Sequence, residues 1–360
     1  MRTRLAGLAA VALTTALTVS LAPTATAGTP TLGAGQRGLA APPKVVAQTT
    51  SAATTLNGLY GARSVWKTDV SQAPLAANSG ALVANLAGQV DRYYGAAAFN
   101  VNKFGTSIYT VDAGQRRIDV KWDNCQRKTY TPRGLLGAGG QFTQVPIPDD
   151  AVPAAGTDGQ LTIYSPSSDQ LWEFWKAKRV DGQWQACWGG RIDRVSTSHG
   201  HFSEHWGASA SGLAVAGGSI LVSDAQAGVI DHALSLQLVN AGIYSNWSWP
   251  AQRSDGQDRS ADAIPEGTRF RLDPSVDVDA LKITPLAKMV AKAAQKYGFI
   301  ITDKGGAVAI TAESPSAVQA ATGVNPWTSV MAGKKSYEIF KGFPWDKMQA
   351  LPKDYGKPTS

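Results

Sequence analysis

The sequence predicts a mainly β protein, a jelly-roll-like β-sandwich with two accessory helices. Short segments with period-2 apolar alternation recur between turns rich in Gly, Pro, Asn and Asp. Only two stretches combine a capping residue with a 3.6-residue apolar stripe. There is no alternating strand–helix rhythm, no fixed-period repeat and no glycine-rich phosphate loop, which argues against a parallel α/β fold.

The elements follow in chain order. Arg2 and Arg4 precede an uncharged apolar run, Leu5 to Ala22, and Ala25-Thr26-Ala27 is a small-x-small cleavage site. Residues 1–27 are thus expected to be a signal peptide, with Gly28 as the mature N-terminus and a secreted, extracellular product. Thr3 separates the two arginines, so the general export route is expected rather than the twin-arginine one. No second apolar run reaches the ~20 residues of a membrane helix, so no integral membrane contact is expected. Residues 28–57, rich in Ala, Thr, Gly and Pro, read as a disordered linker. Residues 58–360 are expected to form one domain.

Asn78 caps a predicted helix over Ser79 to Tyr93, with Leu82, Val83, Leu86 and Val90 on its stripe. Strands are predicted at Ser107 to Val111 and at Arg117 to Trp122, where Ile118, Val120 and Trp122 alternate with charged residues. Gln160 to Gly189 reads as a meander. Its strands are Leu161 to Tyr164, Gln170 to Arg179 and Gln183 to Gly189, and Asp181-Gly182 is the second turn. Ser219 to Val222, Val229 to Val239 and Thr268 to Leu272 are further strand candidates. Thr284 and Pro285 open the second helix, and Gly298 ends it. A hairpin is predicted from Phe299 to Thr302 and Ala307 to Ala312, and loop from Ser314 onward.

Charge excludes more than it suggests. Removing Arg2 and Arg4 leaves 32 of the 34 basic residues against 27 acidic ones, about +5 without any block of like charge. No nucleic-acid partner is expected from so mild an excess. The two cysteines, Cys125 and Cys187, read as one disulfide in an exported chain. No cofactor motif is present.

Candidate chemistry starts at Gln170 to Trp175. In a strand, Glu173 and Trp175 share one face and Trp172 and Phe174 the other. A carboxylate beside an indole suits a sugar: the ring stacks on the C–H face of a pyranose, and the carboxylate handles hydroxyls or a proton. A surface Glu between two packed tryptophans has the same pattern. In Val229 to Leu238, His232 falls among the apolar residues and Asp231 on the small polar face, which suits a cleft floor or a plain solvent face. His199, His201 and His205 concentrate three of the four histidines. Gly200 and the neighbouring serines make them a polar loop or lid at least as readily as a metal site, and no metal is assigned. Asp255 and Glu266 sit in tight turns, as turn residues first and acid/base candidates second. No nucleophile elbow is present.

Tyr164-Ser165-Pro166, Trp172-Glu173-Phe174-Trp175, Trp188-Gly189-Gly190-Arg191, the run Gly228 to Leu234 and the run Pro265 to Pro274 resemble motifs of a group of exported actinobacterial proteins of uncharacterised activity. The resemblance covers about Val145 to Glu313. It implies a shared fold and an actinobacterial source, and no activity.

These readings lead to an expected polysaccharide-active protein, a glycoside hydrolase acting on a polysaccharide or cell-wall glycan. Glu173 and Asp231 are the expected catalytic pair, Trp175 the stacking platform, and Tyr164 and Arg191 the residues that orient substrate. The alternative is a non-catalytic carbohydrate-binding or envelope protein using the same aromatics for recognition.

Overall fold

Thr284 shows how directly some of this sequence turns into structure. Its Oγ1 accepts the Ala287 N–H at 3.1 Å, Pro285 occupies the first helical position, and Gly298 leaves the helix at φ 78°. A hydroxyl cap, a preset φ and a left-handed exit are the usual helix delimiters. The computed structural model describes residues 59–359, so the expected signal peptide and linker lie outside the described residues.

The main helices are α1 (Ser79–Arg92), α2 (Val215–Gly218), α3 (Val222–Ala227), α4 (Pro285–Lys296), α5 (Ser316–Thr322) and α6 (Trp327–Met331). The strands are β1 (Ala98–Asn100), β2 (Thr106–Thr110), β3 (Lys121–Trp122), β4 (Gln160–Ser165), β5 (Gln170–Trp175), β6 (Lys178–Val180), β7 (Gln183–Ala186), β8 (Trp188–Asp193), β9 (Leu234–Leu238), β10 (Arg269–Leu272), β11 (Phe299–Lys304), β12 (Ala309–Thr311) and β13 (Met348–Ala350). They form three sheets, ordered β1-β12-β9-β11-β10-β13, β2-β4-β5-β8 and β3-β7-β6.

The protein is β-rich, as the alternation predicts, but the sheets are mixed. β1–β12, β9–β11, β2–β4 and β3–β7 are parallel pairs. An antiparallel jelly roll has none, so the strand order departs from that expectation. More than two helices are present, and α5, α6 and β13 occupy the C-terminal part expected to be loop.

The other differences have local causes. The expected long strand Gln170 to Arg179 breaks at Lys176, whose φ of 55° turns the chain, so β5 and β6 belong to different sheets. Its return strand breaks likewise at Cys187, between β7 and β8. Of the strand expected over Arg117 to Trp122 only β3 forms, with a lone bridge from Ile118 to Val145. Ser219 to Val222 is the junction between α2 and α3, where Ile220 makes a single bridge to Ala312. The expected hairpin after α4 is split. β9 lies between β11 and β12, and its Leu234, Leu236 and Leu238 are fully buried, so this apolar strand takes the interior position and separates the two.

Two large cores result. One joins α1 and α4 to the six-stranded sheet through Leu86, Val290, Leu236, Phe270 and Phe299. The other lies on the four-stranded sheet around Trp172, Phe174, Leu161, Phe142 and Trp66. A cleft opens beside the ends of these two sheets.

Candidate functional site

Trp175 ends β5 and Trp188 begins β8, and the register sets them directly opposite each other. Such cross-strand partners share one sheet face. Both rings line a cleft of about 1330 Å³. Trp206 extends this aromatic wall, stacked on Trp188 with ring centroids 5.1 Å apart and planes 17° from parallel. The loop carrying Trp206 approaches so closely because β8 has no side chain there. A Cβ on Gly190 would lie 2.8 Å from both Trp206 Cβ and Gly207 N. Tyr130, 64 % exposed, stands on another part of the wall.

The disulfide holds one side of this wall. Cys125 and Cys187 are bonded, with Cα atoms 5.4 Å apart. Cys187 immediately precedes Trp188, and Cys125 precedes Gln126 and Lys128, which line the cleft. Lys128 lies over the Trp188 ring at 5.2 Å.

Carboxyl groups gather in the same cleft. Asp303, at the end of β11, accepts N–H groups from Ala210 at 3.1 Å and from Lys304 at 2.8 Å. Burial, with the Asp255 and Asp158 charges, nevertheless pushes its carboxyl up to about 7. Asp255 is exposed at the mouth. Behind it Glu266 is fully buried, and neither of its carboxyl oxygens has a well-formed hydrogen bond among the described residues. Burial and the neighbouring Asp303 and Asp255 push Glu266 up to about 10, so it is protonated at neutral pH. Arg253 lies beside the group, fastened to the carbonyls of Trp206 and Ser209 at 2.7 Å each. Asp158 accepts the Trp175 indole N–H at 3.1 Å, tying the aromatic wall to the acidic one.

The residues expected from sequence divide. Trp175 lines the cleft. Glu173 does share its face, but there the face is covered: residues 215 and 216 lie over it, and Glu173 is 1 % exposed. It accepts the Val215 and Ala216 N–H groups at 2.8 Å each, closing the start of α2, and burial raises it to about 7. Asp231 precedes β9: the strand expected from Val229 forms only from Leu234, and residues 229–233 join the Gly228 exit of α3 to it as irregular chain. It pairs with Lys67 at 2.9 Å, outside the cleft lining. The structure therefore does not bring Glu173 and Asp231 together. Tyr164 packs half-buried against the core of the four-stranded sheet. Arg191 lies behind the cleft, with Nε 3.0 Å from Asp193 Oδ1, and its backbone N–H donates to Gln141 of the cleft wall.

His232 is buried, as the alternation predicts, with Nδ1 2.8 Å from the Ala233 carbonyl and Nε2 3.1 Å from Asp224. The His199 and His201 rings stack on each other, while His205 leans on Trp206 in the cleft. Among the described residues no group of three His, Cys, Asp or Glu side chains is placed to hold a metal ion. No helix among them is long and apolar enough to cross a membrane.

Asp255 and Glu266 were read in the sequence as turn residues, and Asp303 only as part of a hairpin turn. Each sits at the end of a strand or loop, and only the fold makes them neighbours. The chain matches no protein-family model, and no curated protein or solved structure matches it.

Proposed function

We propose that the cleft is a polysaccharide site and that the protein is a glycoside hydrolase. The observation that carries the reading is one cavity lined by Trp175, Trp188 and Trp206 together with Asp255 and with Asp303, whose carboxyl is raised to about 7. Indole faces stack on pyranose rings. Paired carboxyls in different protonation states are what glycosidic cleavage needs.

The roles follow from the environments. Asp303, held near 7, is the general acid. It gives its proton to the glycosidic oxygen as the bond to the anomeric carbon breaks. Asp255, exposed at the mouth, is the carboxyl set against the positive charge that develops at that carbon. Water supplies the new hydroxyl there, and its remaining proton restores Asp303. Glu266, buried behind them and protonated, adds no negative charge to the pair. The expected signal peptide fits a glycan outside the cell. The disulfide fits such a compartment.

The test is incubation with a panel of wall and plant polysaccharides, reading new reducing ends and tryptophan emission together. Release of reducing ends from at least one polymer supports hydrolysis. Quenching without release replaces it with a binding protein, and neither signal overturns the glycan reading.

A further inference from the structure

The cleft does not end at Lys304. A second groove of about 670 Å³ begins there, and Lys304 belongs to the walls of both. Two chain segments run from one space into the other. The loop 253–262 places Asp255 in the cleft and Asp258 and Asp262 in the groove. β9 contributes Gln237 to the cleft, and the residues after it contribute to the groove. The far wall is α1, through Asn85, Gly88 and Arg92.

The two spaces differ in chemistry. The cleft is walled by tryptophans, whereas the groove has no aromatic residue in its lining. Its polar wall is anchored. Gln89 is 4 % exposed and accepts the N–H groups of Val239 at 3.1 Å and Asn240 at 2.9 Å. Asn85 donates to the Asp262 carbonyl at 3.0 Å. Gly88 faces open space, since a Cβ there would meet nothing within 4 Å. The cleft alone already exceeds the roughly 300–1,000 Å³ of a small-molecule pocket.

We infer that the groove is a second run of sugar subsites, so that a bound polymer crosses Lys304 with the Asp255 and Asp303 group between aromatic subsites on one side and polar ones on the other. The inference rests on the glycan reading of the cleft. It makes the substrate the interior of a long chain rather than a chain end, because the track continues on both sides of the acids.

Tryptophan quenching by cello-, xylo- and chito-oligosaccharides, from disaccharide to octasaccharide, tests this on the wild type and on Gly88→Leu and Arg92→Ala. Gly88→Leu puts a non-aromatic side chain into the groove from a position with room for its Cβ, and Arg92→Ala removes a polar side chain from the lining without adding bulk. The expected result is an affinity that rises about tenfold or more from tetrasaccharide to octasaccharide. That rise should be flattened by Gly88→Leu and reduced by Arg92→Ala. No gain with length, or a gain untouched by both variants, overturns the inference while leaving the cleft a glycan site. No binding of any oligosaccharide to the wild type removes both.

Discussion

Burying Glu173 and Glu313 makes stability depend on pH in a direction that one substitution can test. Each is 1 % exposed and is pushed up to about 7 from 4.5 by burial, although at a helix start Glu173 accepts two backbone N–H groups and Glu313 accepts one. Between those two values the folded protein holds more protons than the unfolded chain. Stability therefore falls as pH rises through this window and stays lowered above it. A rise from 4.5 to about 7 corresponds to roughly 3 kcal/mol per group. Asp303 acts in the same direction, while half-buried His201, whose pKa is lowered, opposes it. Glu173→Gln keeps the shape and removes the charge. Urea unfolding followed by tryptophan emission at about pH 5 and about pH 8 isolates the contribution, because every other group is common to both proteins. Relative to wild type, the variant should gain about 3 kcal/mol between the two pH values. A constant difference across the range would refute the argument that Glu173 is ionised at a desolvation cost.

Other perturbations test other parts of the account. Trp188→Ala and Trp175→Ala should each weaken glycan binding by about tenfold, read by titration, and undiminished affinity would remove the stacking wall. Thiol titration under denaturing, non-reducing conditions should find no free thiol. Reduction should lower stability by roughly 4 kcal/mol, because the bridge joins residues 62 apart, and an unchanged unfolding midpoint would contradict this. His232→Ala should cost on the order of 1–3 kcal/mol, since it removes the ring from the buried Ala233 carbonyl and from Asp224, which retains the Leu221 N–H. An unchanged denaturation midpoint would show that these groups do not depend on the ring.

The legible parts of the fold were those set by neighbours in sequence. α4 carries its own start and stop, and Trp172 and Phe174 pack inward because strand alternation requires it. The illegible parts depend on what covers a face or which strand inserts where. Glu173 lies beside Trp175 on the predicted face, but only the chain over residues 215 and 216 decides that Glu173 is buried while Trp175 stays open. β9 between β11 and β12 is a long-range choice that no turn signal announces. It also moved Asp303 from a hairpin turn to the cleft wall. Asp255 and Glu266 were visible as acids in turns, and nothing local to either one indicates the other.

The central claim is that the chemistry belongs to the cleft acids and not to Glu173 and Asp231. Reducing-end release by Asp303→Asn and by Asp231→Asn, each compared with wild type on the polymer that responds best, tests it most directly. The account predicts that Asp303→Asn abolishes release, because an amide cannot pass a proton to the leaving oxygen, and that Asp231→Asn retains it. Full activity in Asp303→Asn, or its loss in a folded Asp231→Asn, would contradict the account.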